Sequence, residues 1–188
     1  LPGVGGDTQS RSASWPAPPP PVSVADSGGR MTWLDADGRV WVAYPARPSW
    51  IGIPSDATLG GSATPQEVVG LDSVNVVEVI AFGVVLDDQG QLWSWGPGTP
   101  GRPKTGVESY AVGRVDLPLP VVQAANNGLA VCAVLEDGSV WCFGDLDERT
   151  IPSTRDTEMF YQRTPLRISF GAPDRSEERR VGKECRSR

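Results

Sequence analysis

The sequence predicts an all-β fold, a partial β-propeller of about three four-stranded blades that is truncated at both ends. A unit of about 50 residues recurs three times along the chain. Each unit is built from short apolar runs separated by Gly- and Pro-rich turns, as expected for strands and hairpins. No long helical period is present, and no apolar run reaches the roughly 18 residues that a membrane span needs.

The core of each unit is an apolar run, an acidic turn that ends in glycine, and an apolar residue followed by tryptophan. It occurs as TWLDADGRVWVAY (32–44), VVLDDQGQLWSWG (84–96) and CAVLEDGSVWCFG (132–144). A glycine after Asp or Gln suits the positive φ of a short hairpin loop, and Val, Leu and Trp suit half-buried strands. We therefore predict one hairpin per unit, with these turn glycines and core tryptophans as its landmarks: Gly38 and Trp41, Gly90 and Trp93, Gly138 and Trp141.

The repeat divides the chain into five segments. Residues 1–21 are rich in Pro, Gly and Ser and are expected to be a disordered linker. Their WPAPPPP run is typical of a spacer, and the other interpretation is a Pro-rich ligand for an aromatic groove. The remaining segments are propeller repeats 22–73, 74–120 and 121–174, followed by a tail, 175–188.

The three hairpin cores and their Trp95-Gly96 and Phe143-Gly144 endings resemble the repeats of the regulator of chromosome condensation family, over residues 22–170. That resemblance implies a seven-bladed β-propeller, of which three units would be a part. The chain departs from the family pattern in lacking His, and in ending the first unit with Ala43-Tyr44. Kelch repeats have a similar period, but their paired-glycine signature is missing.

The tail RSEERRVGKECRSR carries six basic and three acidic residues and shows no strand period. A solvated charge run and a basic nucleic-acid or nuclear-targeting arm are two interpretations, and its acidic residues weaken the second. The string also resembles a translation of the adapter DNA used in short-read sequencing. We therefore predict that residues 175–188 are not biological, which removes Cys185 and leaves two cysteines.

Composition argues against several classes of function. The net charge of −6 disfavours a phosphate-binding surface, which needs clustered Lys and Arg, so we expect no nucleic-acid partner. Without any His, with no phosphate-binding Gly loop and with no evident pair of carboxylates, the chain offers no acid–base machinery. We expect no catalytic residues, no cofactor and no metal.

The acidic turns raise the question of calcium. A calcium loop needs six or more oxygen ligands in fixed spacing. Here each acidic pair is followed within two residues by the turn glycine and then by a strand: Asp35 and Asp37, Asp87 and Asp88, Glu136 and Asp137. We interpret these residues as turn formers. Three of the seven tryptophans occupy equivalent positions in the units, so most are expected to be packing residues. Trp50 lies in an insertion and is the candidate contact for a partner.

The two cysteines of the third unit are equidistant from Asp137, at the centre of its turn. In a hairpin centred there, Cys132 faces Cys142, close enough for a disulfide if the pair is not hydrogen-bonded. Two buried thiols are the alternative. A disulfide would indicate an oxidising compartment: secreted, periplasmic or cell-surface.

Two classes of function follow. The first is a fragment of a propeller-type interaction module of a bacterial protein, which presents its loops to an unknown protein partner and has no catalysis of its own. The alternative is a propeller segment of a secreted hydrolase, or an appendage to one, whose catalytic part lies outside this fragment.

Overall fold

The computed structural model describes residues 20–27, 30–43, 47–53, 64–96, 101–103, 110–128, 130–146 and 160–169. Most of the predicted linker, and all of the predicted tail, lie outside the described residues. Within them are twelve strands and one 3-10 helix: β1 Pro21–Asp26, β2 Met31–Asp35, β3 Val40–Val42, 3-10 helix Pro48–Ile51, β4 Gln66–Glu67, β5 Val76–Ala81, β6 Val84–Asp87, β7 Leu92–Ser94, β8 Gly113–Arg114, β9 Val121–Asn126, β10 Ala130–Leu135, β11 Val140–Leu146 and β12 Phe160–Ile168. Among these residues no helix is long and apolar enough to cross a membrane.

The strands form three sheets of four, each made of consecutive antiparallel neighbours. We call them blade 1 (β1–β4), blade 2 (β5–β8) and blade 3 (β9–β12). In the described part of the chain the sheets stay separate and do not close into a ring. The predicted all-β fold of three four-stranded blades is confirmed.

The first strand of each blade lies innermost. Strand β5 contacts both β1 and β9. Hydrogen bonds join the carboxyl-terminal ends of these inner strands. The backbone N–H of Phe82, just after β5, donates to Ser27 Oγ (3.1 Å), just after β1, and Asn126 Nδ2 at the end of β9 donates to the carbonyl of Ile80 in β5. The inner strands therefore run in the same direction, as consecutive propeller blades require.

This direction divides the loops between two faces of the molecule. One face carries the turn between the first two strands of each blade, together with the connection into its fourth strand, and we call it the insertion face. The 3-10 helix belongs to one of these connections. The opposite face carries the three turns that contain Gly38, Gly90 and Gly138, and we call it the glycine-turn face.

Buried apolar side chains fill the two junctions between blades. In the hairpins, opposed residues alternate between the two surfaces of a blade, so that Trp33 opposes Trp41 and Leu34 opposes Val40. Each fully buried side chain of this kind contributes roughly 1.5–3 kcal/mol. The junction of blades 1 and 2 buries Leu34, Val40, Val42, Ile51, Val68, Leu71, Val76, Val79, Val85 and Trp95. The junction of blades 2 and 3 buries Ile80, Ala81, Val84, Leu86, Leu92, Val115, Leu117, Val121, Val131, Ala133, Leu135 and Phe143.

Candidate partner-binding face

The predicted turn glycines lie in hairpin turns on the glycine-turn face. Gly38, Gly90 and Gly138 have φ values of 82°, 74° and 79°, which L side chains rarely adopt. The backbone N–H of each glycine donates to the carbonyl three residues earlier, at 3.1, 3.2 and 2.8 Å respectively. These contacts close the same tight turn in all three blades.

The first aspartate of the turn in blade 1 is committed to the hairpin. Asp35 is 1% exposed, and its Oδ1 accepts from the backbone N–H groups of Asp37 (2.8 Å) and Arg39 (2.9 Å). Its Oδ2 accepts from the indole Nε1 of Trp41 (2.7 Å). Both carboxylate oxygens are therefore occupied by donors, which leaves this aspartate poorly suited to ligate a cation.

Blade 2 repeats this arrangement. Asp87 Oδ1 accepts from the backbone N–H groups of Gln89 (2.9 Å) and Gln91 (2.8 Å), and Oδ2 accepts from Trp93 Nε1 (2.8 Å). Sequence reasoning placed Trp41 and Trp93 as packing residues and missed this bond. An Asp three residues before the glycine, with a Trp three residues after it, was the available signal.

Blade 3 has Leu135 where the other blades have this aspartate. Trp141 Nε1 donates instead to Ser139 Oγ (3.0 Å), and Ser139 Oγ donates to Asp137 Oδ1 (2.6 Å). Among the described residues, no group of three or more His, Cys, Asp or Glu side chains could hold a metal ion.

Hydrogen bonds also lower the pKa values of two of these carboxyl groups, Asp35 and Asp137. Burial tends to raise the pKa of Asp35, but the hydrogen bonds from Arg39, Trp41 and Asp37, with the nearby Arg39 charge, lower its pKa below the ordinary 3.8. The hydrogen bonds that Ser139 donates from its hydroxyl and its backbone lower the pKa of the exposed Asp137. Both side chains stay ionised at neutral pH.

The two cysteines of blade 3 form a disulfide. Cys132 on β10 opposes Cys142 on β11, with a Cα–Cα distance of 4.1 Å and an S–S distance of 2.08 Å. The equivalent opposed pairs are Thr32 with Val42 and Val84 with Ser94. Blade 3 therefore has a covalent link between its two middle strands at a position where the other blades have none.

Trp50 lies at the junction of blades 1 and 2, on the insertion face. It belongs to the 3-10 helix Pro48–Ile51, and its half-buried ring meets Phe82 edge-on, with centroids 5.6 Å apart. The backbone carbonyl of Trp50 accepts from the indole Nε1 of the buried Trp95 (2.8 Å). Its position therefore depends on both blades.

Arg30 completes the cluster, and sequence reasoning did not single it out. Its guanidinium carbon lies 5.1 Å from the centroid of Trp50 and 5.4 Å from that of Phe82. The residue is exposed and directly precedes β2. We call Arg30, Trp50 and Phe82 the arginine–aromatic cluster. No sequence pattern joins these residues. Arg30 comes from a turn of blade 1, Trp50 from the insertion of blade 1, and Phe82 from a turn of blade 2.

Arg102 shows a contrasting use of a guanidinium. Its Nε donates to Ser94 Oγ (3.0 Å), and its Nη2 donates to the carbonyls of Ser94 (2.9 Å) and Ala111 (2.6 Å). Burial lowers the pKa of Arg102. This arginine holds the connection between β7 and β8 in place, whereas Arg30 lies on the surface.

Comparison with known proteins agrees with the architecture. No protein-family model matches the chain, and no curated protein matches it. Among solved structures, human WBSCR16 matches with a TM-score of 0.61 and 18% identity, over 86% of this chain and 42% of that one. Prp20p from Saccharomyces cerevisiae matches with a TM-score of 0.59 and 15% identity, over 86% of this chain and 46% of that one.

A third match is a chain in the structure of Kap60 bound to yeast RCC1 (Prp20). Its TM-score is 0.51 and its identity 19%, over 77% of this chain and 34% of that one. The chain thus spans less than half the length of each of the three. These matches confirm the predicted fold, a β-propeller like that of the regulator of chromosome condensation family.

Proposed function

We infer that this chain is part of a propeller-type interaction module that binds a protein partner through its insertion face, with no catalysis of its own. The arginine–aromatic cluster carries this proposal. Trp and other aromatic residues, together with Arg, are enriched at protein interfaces, and Trp and Arg are among the types that dominate their binding energy. Here an exposed Arg30 and a half-buried Trp50 and Phe82 meet at the junction of two blades.

The fold supports this inference. One structural neighbour, Prp20p, was described together with its binding to Gsp1p and histones, and another structure contains RCC1 bound to Kap60. Those statements concern the neighbours, and we use them only as support for a binding role of the propeller here.

The partner we propose is a protein rather than a nucleic acid, because the chain has a net charge of −6. The disulfide supports an oxidising compartment.

Site-specific photo-crosslinking tests the proposal. A photoreactive phenylalanine analogue replaces Met31, which is 48% exposed and directly follows Arg30 in sequence, at the insertion-face end of β2. The matched control replaces Leu119, which is 39% exposed in the connection between blades 2 and 3 on the glycine-turn face. Both proteins are irradiated in an extract of the source organism, and the crosslinked products are identified by mass spectrometry.

We expect one defined protein to crosslink at Met31 and not at Leu119. Crosslinks confined to Leu119 would show that the other face binds the partner. Turnover of a substrate by the purified chain, without any stable partner, would contradict a binding role without catalysis.

A further inference from the structure

We propose that the arginine–aromatic cluster is a receptor for a carboxylate side chain, Asp or Glu, of the protein partner. This inference rests on the proposed function and names the chemistry that the insertion face would recognise. It depends on three properties of Arg30: its guanidinium is held in place, its donors meet no acceptor in the described part of the chain, and its surroundings favour a single carboxylate.

The guanidinium is held by two aromatic rings on a fixed framework. The backbone N–H of Ser27 donates to the Arg30 carbonyl (3.1 Å), which closes the turn, and Ser27 Oγ accepts from the N–H of Phe82 (3.1 Å). Trp50 is anchored through its carbonyl to the indole of Trp95. An arginine fixed in this way loses less side-chain entropy on binding than a freely rotating one.

The donors of this arginine have no acceptor among the described residues. Its guanidinium contacts the rings of Trp50 and Phe82 there and forms no ion pair. The rings are electrostatic partners of the cation but cannot accept its in-plane N–H groups as a carboxylate does. The contrast is Arg102, whose donors are bound to Ser94 and to the carbonyl of Ala111.

The surroundings favour a carboxylate over the phosphates of a nucleic acid. Phosphate backbones are bound by clustered Lys and Arg, whereas the described turns and connections of the insertion face contribute Arg30, Arg47 and Arg102. The donors of Arg102 are already bound to Ser94 and Ala111. The planar fork of a guanidinium matches one carboxylate with two parallel hydrogen bonds.

The test uses the full chain and peptides selected from a random nonapeptide library displayed on phage. Selected peptides are synthesised, and calorimetry compares their affinity for the wild type, for Arg30→Gln and for Arg30→Lys. Arg39→Gln is the matched control, because it removes the same charge from an exposed position on the glycine-turn face. Near-ultraviolet circular dichroism verifies that each variant keeps its tertiary structure.

We expect the selected peptides to share an Asp or Glu, and Arg30→Gln to weaken binding about tenfold. Arg30→Lys should weaken it less, and Arg39→Gln should stay within about twofold of the wild type. Changing the peptide carboxylate to its amide should weaken binding to the wild type by a similar factor, yet hardly weaken binding to Arg30→Gln further.

Other outcomes separate the two proposals. Peptides that crosslink at Met31 but bind Arg30→Gln as well as the wild type would leave the interaction face standing and overturn the carboxylate receptor. Peptides that crosslink only at Leu119 would overturn the proposed function itself. Tight binding of a single-stranded oligonucleotide of about 20 nucleotides, lost in Arg30→Gln, would assign the site to phosphate instead.

Discussion

At the residue scale, the aspartates of the first two turns act as structural anchors. Asp35 in blade 1 and Asp87 in blade 2 are both buried. Each carboxylate accepts hydrogen bonds from two backbone N–H groups of its own turn and from one indole across the hairpin. Hydrogen bonds to a charged acceptor contribute about 1.5–3 kcal/mol each, against the cost of burying the charge. Blade 3 has Leu135 at this position and a disulfide between its middle strands.

We predict that Asp35→Asn lowers the free energy of unfolding by about 1–3 kcal/mol at neutral pH. The amide oxygen can keep the bonds to the turn, but the amide nitrogen then faces the Trp41 indole, donor against donor. Urea denaturation, monitored by tryptophan fluorescence, measures the loss in the free energy of unfolding. Asp37→Asn is the control, because the exposed Asp37 offers Asp35 only its backbone N–H, which the substitution keeps.

We also predict that the stability difference between the wild type and Asp35→Asn depends on pH. The pKa of Asp35 is lower in the folded protein than the ordinary value of 3.8, so ionisation of this group favours folding. The ionised Asp35 carboxylate contributes its full stabilisation above pH 3.8. That contribution is lost as the pH falls from 3.8 through the lower pKa of the folded state. The difference between wild type and Asp35→Asn should therefore shrink in acid. A difference that is the same at neutral pH and below the folded-state pKa would contradict the role of the charge.

At the element scale, the glycine turns differ in what they contact. A Cβ on Gly38 or Gly138 would meet no atom within 4 Å, whereas a Cβ on Gly90 would lie 2.8 Å from Pro120 Cβ and 3.0 Å from the Val121 carbonyl. The turn of blade 2 packs against the start of β9, and the N–H of Val121 donates to the Gly90 carbonyl (2.8 Å). A turn in blade 2 thus helps to position the inner strand of blade 3.

We therefore predict that Gly90→Ala is more destabilising than Gly38→Ala. Both substitutions place a side chain at positive φ, which costs about 1–2 kcal/mol. Only Gly90→Ala adds a clash with the next blade, which costs about 1–3 kcal/mol more. Chemical denaturation of the two variants under identical conditions measures the difference. Equal losses of stability would show that the contact with β9 is unimportant.

The hairpins could be predicted from the sequence because their information is local. The acidic turn, the glycine and the alternating apolar flanks fix strand register, and that register places Cys132 opposite Cys142. The arginine–aromatic cluster could not be predicted in this way. Arg30 and Phe82 lie 52 residues apart in sequence, and only the packing of blade 1 on blade 2 brings them to the same ring of Trp50. The indole bond to Asp35 was predictable but was overlooked.

At the scale of the whole molecule, blade 2 differs from its neighbours because it contributes to both junctions. Its Val85 and Trp95 pack toward blade 1, and its Val84, Leu86 and Leu92 pack toward blade 3. In repeat proteins, stability is approximately the sum of each repeat and of its interfaces with its neighbours. Backbone amides of β6, in the centre of blade 2, should therefore exchange with solvent most slowly, and those of β4 at the edge of blade 1 faster.

Two leucine substitutions test whether the blades open separately. Leu34, 3% exposed, packs at the first junction, and Leu92, 1% exposed, packs at the second. Replacing either by Ala should cost about 2–5 kcal/mol. If interfaces act independently, Leu34→Ala accelerates amide exchange chiefly in β2 and β3, whereas Leu92→Ala accelerates it chiefly in β10 and β11. Hydrogen exchange measured by mass spectrometry distinguishes the two patterns. Equal acceleration in all three blades, from either variant, would mean that the described sheets unfold as a single cooperative unit, because opening one junction would then open the other.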